Sequence, residues 1–124
     1  KFPIDLIYTS LKKEGFYGAG ADTKPQEYSD IPITVVFENE RVIAQRFFLE
    51  PGEWTGKHAR PGNQLYIMVK GGKITERRAG IETLDANAAE DGSARWLDAI
   101  GADENYEFGN TGESIIHGVL ITLK

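Results

Sequence analysis

Apolar residues along this chain fall in short runs, cut at frequent intervals by turn residues, and no stretch sustains a helical period for long. Ile33 to Glu38, Arg41 to Glu50, Gln64 to Lys70 and Lys73 to Arg78 are rich in Val, Ile, Phe, Tyr and Thr, which suit a pleated, half-buried surface. Arg95 to Ile100 reads as an aromatic-led strand and Ile115 to Leu123 as a closing apolar one. Between these runs stand Glu38-Asn39-Glu40, Pro61-Gly62-Asn63, Gly71-Gly72, Asp91-Gly92 and Asn110-Thr111-Gly112, turn signals at the short spacing of sandwiches and barrels. An all-β domain follows. The best helix candidate is short, Leu6 to Lys13. Residues 1–32, interrupted by Asp22-Thr23-Lys24-Pro25 and Tyr28-Ser29-Asp30-Ile31-Pro32, read as an N-terminal arm, and residues 33–124 as the β domain.

Composition narrows the function classes. A length of 124 residues is one domain, large enough for a core without disulfide or metal staples. With 40% hydrophobic and 27% charged residues the chain is globular, neither disordered nor fibrous. The formal charge of -5, with Lys12-Lys13 and Arg77-Arg78 as basic pairs and no basic stripe, argues against nucleic acid as partner. No apolar run approaches the roughly 20 residues that span a bilayer, and the N-terminus lacks the apolar core of a signal peptide, so a soluble, cytoplasmic protein without membrane partners is expected. The absence of cysteine excludes disulfides, thiolate metal sites and a cysteine nucleophile.

The chemistry concentrates in Pro51 to Gly71. Gly52, His58, Arg60, Gln64 and Gly71 stand at the spacing of Gly, five residues, His, one residue, His, three residues, Glu, six residues, Gly. This stretch resembles the first motif of the cupin superfamily, with Arg in place of the second His and Gln in place of Glu. Only the tail of the second cupin motif is present: counting back from Asn110 puts Tyr106 at its His position, with Gly101 and Asp103 at the Pro and Gly positions. The resemblance implies a single jelly-roll barrel with the motif side chains pointing inward, and in most cupins a divalent metal there. It also implies that the arm packs on the barrel or on the partner subunit of a homodimer.

Strand residues two apart share a face, so Gln64, Tyr66 and Met68 point one way and Leu65, Ile67 and Val69 the other. If the first set faces the cavity, His58 and Arg60 join it from the neighbouring strand and Tyr106 from the strand opposite. A guanidinium has no acceptor and stays protonated, so Arg60 is not a ligand, and about 4 Å from a divalent ion it would repel that ion by roughly 8 kcal/mol at an effective dielectric of 20. His58, Gln64 and Tyr106 remain an imaginable metal trio. The reading that uses the substitution has no metal and no other cofactor. Arg60 grips the carboxylate of a small anionic metabolite, and Gln64, Tyr66 and Met68 shape its pocket. His58 serves as general base and Tyr106 or Tyr66 as acid, which gives isomerase or lyase chemistry without redox. A binding module without turnover is the alternative.

Each residue also has a structural role open to it. His58 can be a hydrogen-bonded core residue, and Gln64 can serve only to satisfy a buried amide. Arg60 can pair with Glu50, Glu53 or Asp103, and Tyr66 can simply pack. His117 is expected on an outward or interface face, Trp54 and Trp96 as core or rim packing, and Glu76-Arg77-Arg78 as a solvated strand end.

Overall fold

The computed structural model describes residues 20–85, 90–101 and 104–124. The helix candidate over residues 6–13 lies outside these. The described residues form eight strands: β1 (Thr34–Glu38), β2 (Val42–Leu49), β3 (Gln64–Lys70), β4 (Ile74–Arg78), β5 (Ile81–Asp85), β6 (Ala94–Leu97), β7 (Glu107–Asn110) and β8 (Ile116–Leu123). They make two antiparallel sheets, one of five strands in the order β1-β2-β8-β3-β6 and one of three in the order β5-β4-β7. This is the expected all-β jelly roll. Among the described residues no helix is long and apolar enough to cross a membrane.

Residues 54–60 run beside β7 and widen the smaller sheet without forming a regular strand. Trp54 bridges Gly109, His58 bridges Tyr106 and Arg60 bridges Ile100. The amide N–H groups of Thr55, His58 and Arg60 donate to the carbonyls of Phe108, Tyr106 and Ile100 at 2.9, 2.8 and 3.1 Å. That pairing carries the motif side chains of the first segment next to Tyr106.

Period-two alternation decides what faces in. On β2 the buried positions are Ile43, Gln45, Phe47 and Leu49, and on β8 Ile116, Gly118, Leu120 and Thr122. Phe47 is 1% exposed and lies opposite Gly118 in the ladder. Its ring occupies the space a side chain at 118 would need. It meets Tyr28 and Phe108 at centroid distances of 5.6 and 5.9 Å, so an aromatic cluster fills the barrel. Asn110, fully buried, ties the two sheets together: its Nδ2 donates to the carbonyls of Leu49 and Ser114, both at 2.8 Å, and its Oδ1 accepts from the Gly112 amide.

Residues 20–33 contain no strand, yet part of this segment enters the barrel. Gln26, Tyr28 and Ile31 are buried. The backbone N–H of Gln26 donates to Gln45 Oε1 at 2.8 Å, Gln45 Nε2 returns a bond to the Gln26 carbonyl at 2.9 Å, and Gln26 Nε2 donates to the Ala59 carbonyl at 2.8 Å. Buried amides of this kind are costly unless paired, and here they pair with each other.

A methyl group at Gly118 would lie 2.4 Å from Phe47 Cζ. Gly118→Ala is therefore expected to destabilise the domain by about 1–3 kcal/mol through overpacking. The check is urea unfolding, in which the midpoint should fall with an unchanged slope. An unchanged midpoint would mean that the Phe47 ring has room to shift.

Candidate functional site

A cavity of about 490 Å³ opens between the end of the smaller sheet and β6 of the larger. Its polar wall comes from Arg60, Glu76, Arg78, Arg95, Asp98 and Tyr106. On β4 the alternation that starts with buried Ile74 sends Glu76 and Arg78 to the cavity side and Thr75 and Arg77 to the opposite face. Glu76-Arg77-Arg78 is therefore not simply a solvated strand end. Arg77 covers Trp54 from outside, 3.7 Å from a ring centroid, while Glu76 and Arg78 join the cavity wall.

Tyr106 is the centre of the wall. It is 4% exposed, and its hydroxyl donates to Glu76 Oε1 at 2.5 Å. The Arg60 guanidinium lies 4.5 Å from the Tyr106 ring centroid, with Nη1 donating to the Asp98 carbonyl at 3.0 Å. Arg78 reaches the same ring at 5.5 Å and pairs with Glu104 at 3.4 Å. Burial, then the Glu76 carboxylate beside it, push the Tyr106 phenol well above its ordinary range, with Arg60 opposing in part. At neutral pH Tyr106 is a proton donor. Of the acids that the sequence offered to Arg60, Glu53 Oε1 accepts from the Glu50 amide instead, and Asp103 lies outside the described residues.

The structure does not gather the six expected site residues into one cavity. Arg60 and Tyr106 line it. His58 lies on the other side of Tyr106, edge-on at 5.3 Å, and under Tyr28 at 4.7 Å. It lines a second cavity, of about 580 Å³, formed with Lys24 to Ser29 and Lys57. Its Nδ1 is 2.8 Å from the Gly56 carbonyl and 3.2 Å from Thr55 Oγ1. A carbonyl only accepts, so the neutral ring carries its proton on Nδ1 and leaves Nε2 with the lone pair. Burial, helped by the Arg60 charge and opposed by the Gly56 carbonyl, lowers the His58 pKa to about 4.

Gln64, Tyr66 and Met68 do share the inward face, but they form the packed floor of the barrel. Gln64 Nε2 donates to Gln26 Oε1 at 2.8 Å and to Thr122 Oγ1 at 3.2 Å, which joins Gln64 to the amide pairs that anchor residues 26–28. Met68 is 2% exposed. Tyr66 packs against Phe47 and Phe108, and its hydroxyl is buried without a partner among the described residues. Burial raises its pKa well above the ordinary value. His117 faces outward on β8, stacked on Phe48 at 4.4 Å.

Sequence reasoning missed Gln26, Tyr28, Gln45, Glu76, Arg78 and Arg95. Only the β4 and β6 members had a usable signal, the alternation from Ile74 and Leu97.

No protein-family model matches the sequence, and no curated protein matches it. Solved structures do. A cupin domain from Bordetella pertussis Tohama I superposes with a TM-score of 0.67 at 17% identity, over 79% of this chain and 97% of that one. The fold is that of the cupins. An RmlC-like cupin with a double-stranded β-helix from Methanocaldococcus jannaschii aligns at 0.55 and 16% identity, over 91% of this chain and 93% of that one. A DMSP lyase from Ruegeria pomeroyi aligns at 0.55 and 9% identity, over 77% and 47%.

The residues at the four cupin metal positions, His58, Arg60, Gln64 and Tyr106, do not make a donor set for a divalent ion. A phenolate is needed to coordinate, and Tyr106 holds its proton against Glu76. The Gln64 amide is bonded to Gln26 and Thr122, and the fourth residue, Arg60, is a guanidinium standing 4.5 Å from the Tyr106 ring centroid. Among the described residues no three His, Asp or Glu lie close enough together to hold a metal.

The histidine geometry fixes a pH response. A ring with a folded pKa near 4 and an unfolded one near 6.5 binds fewer protons when folded, so its contribution is complete above pH 6.5 and disappears as pH falls toward 4. At most about 3 kcal/mol is involved. The lowered pKa of His117 acts in the same direction. Unfolding free energy should therefore rise between pH 4.5 and 6.5, and the His58 Cε1–H NMR signal should stay flat from pH 8 to 5. A His58 transition near 6.5 would contradict this burial.

Proposed function

We propose that this cupin binds a small carboxylate-bearing metabolite in the cavity at the barrel mouth and acts on it as a metal-independent isomerase or lyase. The observation that carries the reading is the Arg60–Tyr106–Glu76 stack on the cavity wall. A guanidinium locked between a ring face and the Asp98 carbonyl is an oriented, permanent cation, and its fork geometry suits a carboxylate. On the wall the guanidinium groups of Arg60, Arg78 and Arg95 balance the carboxylates of Glu76, Asp98 and Glu104. A ligand carboxylate is therefore favoured locally, where Arg60 and Arg78 flank Tyr106.

With the carboxylate there, the carbon next to a carbonyl would lie near Tyr106 and Glu76. Glu76 is the proton acceptor; once it has taken the substrate proton it donates to the Tyr106 oxygen, and the Tyr106 O–H, until then given to Glu76, turns to the oxygen on which enolate charge develops. Return of the proton to the neighbouring carbon is isomerisation, and loss of a leaving group from that carbon is elimination. His58, neutral and edge-on to the Tyr106 ring, acts in this scheme as a positioning residue. Gln64, Tyr66 and Met68 set the shape of the floor. One neighbour that shares the fold is named a DMSP lyase, and the likeness reaches no further than the fold.

The test is calorimetric titration with a panel of small mono- and dicarboxylates, with NMR detection of deuterium wash-in from D₂O next to the carbonyl. Arg60→Gln should weaken binding at least tenfold. Tyr106→Phe should leave binding within a few-fold and slow exchange by about 100-fold or more. Binding indifferent to Arg60→Gln would remove the site. Binding without exchange in the native protein would leave a non-catalytic binding module.

A further inference from the structure

The second cavity, about 580 Å³, lies outside the chemistry proposed above, in which His58 only positions Tyr106. Its charged groups are Lys24, Glu27 and Lys57. Two other polar side chains on its wall are already engaged. Gln26 Nε2 donates to the Glu27 and Ala59 carbonyls while its Oε1 accepts from Gln64, and the Ser29 hydroxyl donates to Asp30 Oδ1.

His58 meets this cavity as a fixed acceptor. Its hydrogen-bonding contacts, to the Gly56 carbonyl and Thr55 Oγ1, are both at Nδ1, so the proton sits there and the lone pair on Nε2. Burial keeps the ring neutral at pH 7. Tyr28 at 4.7 Å and Tyr106 at 5.3 Å hold its plane. Among the described residues Nε2 has no hydrogen-bond partner. The buried side-chain polar atoms that lack one are Tyr66 Oη and His117 Nε2, so His58 Nε2 is open, and the cavity that His58 lines is this one. Neither Lys24 nor Lys57 forms an ion pair with a described residue. Two cations against the Glu27 carboxylate leave one positive charge in excess.

An excess of positive charge calls for an anion, and a neutral acceptor calls for an O–H or N–H donor on the same molecule. An ammonium donor would add a third cation beside two, so the donor is a hydroxyl. We propose that this cavity binds a small 2-hydroxycarboxylate, its carboxylate held by Lys24 and Lys57 and its hydroxyl donating to His58 Nε2. The two groups stand on adjacent carbons of such an acid, as Lys57 and His58 are adjacent in the chain. Pro25, Ala59 and Pro61 offer the remaining wall to an aliphatic side chain. A carboxylate lacking the hydroxyl strips water from Nε2 without replacing it, which leaves simple carboxylates to Arg60.

The full chain with nitrogen-15-labelled histidine reports on the ring directly. Titration with 2-hydroxy-4-methylpentanoate at pH 7 should move the His58 Nε2 signal saturably upfield, as acceptance of a hydrogen bond does, with Nδ1 still protonated and His117 unmoved. The analogue 4-methylpentanoate, which lacks only the hydroxyl, should bind here about fivefold more weakly, the worth of one hydrogen bond. Lys24→Gln/Lys57→Gln, which changes two exposed side chains, should weaken the hydroxy acid at least threefold with an unchanged far-UV spectrum. The proposal is overturned by a His58 signal that does not respond, by an imidazolium on binding, by equal affinity for the two acids, or by a double variant that binds as the native protein does.

Discussion

The placement of Tyr106 depends on a guanidinium standing over the face of its ring. Arg60 stands where the motif of a metal-binding cupin has an imidazole, and at 4.5 Å from the ring centroid it contributes both contact area and a fixed positive charge. Tyr106 is thereby held between Arg60 on its face, His58 at its edge and Glu76 at its hydroxyl. Removing the guanidinium frees the ring and leaves Arg78, 5.5 Å from its centroid, as the remaining cation beside the buried Tyr106–Glu76 pair. Cavity shape follows from that packing contact and the proposed ligand class rests on it, while the protonation of Tyr106 follows from burial and Glu76, with Arg60 opposing in part.

The second constraint is the entry of residues 26–31 into the barrel. Tyr28 closes over His58, and Gln26 exchanges hydrogen bonds with Gln45 and Gln64. This divides what would be one central cup into two cavities, with His58 and Lys57 on one side and Arg60, Glu76 and Tyr106 on the other. The division explains why residues in register with a single metal centre do not act as one cluster here. A glutamine in place of the motif glutamate loses its charge and gains a donor, and that donor reaches Gln26 Oε1.

Much of the sheet framework was legible because its strands are runs of β-branched and aromatic residues. β3 coincides with the expected Gln64 to Lys70, and β2 and β8 lie within one residue of the expected ends. β5 and β7 had no such signal. Ile81–Asp85 contains Glu, Thr and Asp among few apolar residues, and Glu107–Asn110 ends in Gly-Asn, which reads as a turn. The facing of Glu76 and Arg78 was hidden because a charged triplet looks solvated until the register of Ile74 is known. Gln26 and Tyr28 lie in a segment without periodicity, so only tertiary packing reveals their burial.

The functional reading rests on the proposal that Arg60, at the second histidine position of the motif, recruits a carboxylate to the Tyr106 side of the barrel. Anomalous diffraction from crystals grown with a bromine-substituted small carboxylate tests it most directly. A bromine peak in the cavity walled by Arg60, Arg78 and Tyr106, with the carboxylate against the Arg60 guanidinium, is the predicted result. A peak in the cavity beside His58 and Lys57 instead, or a carboxylate bound away from Arg60, would contradict it.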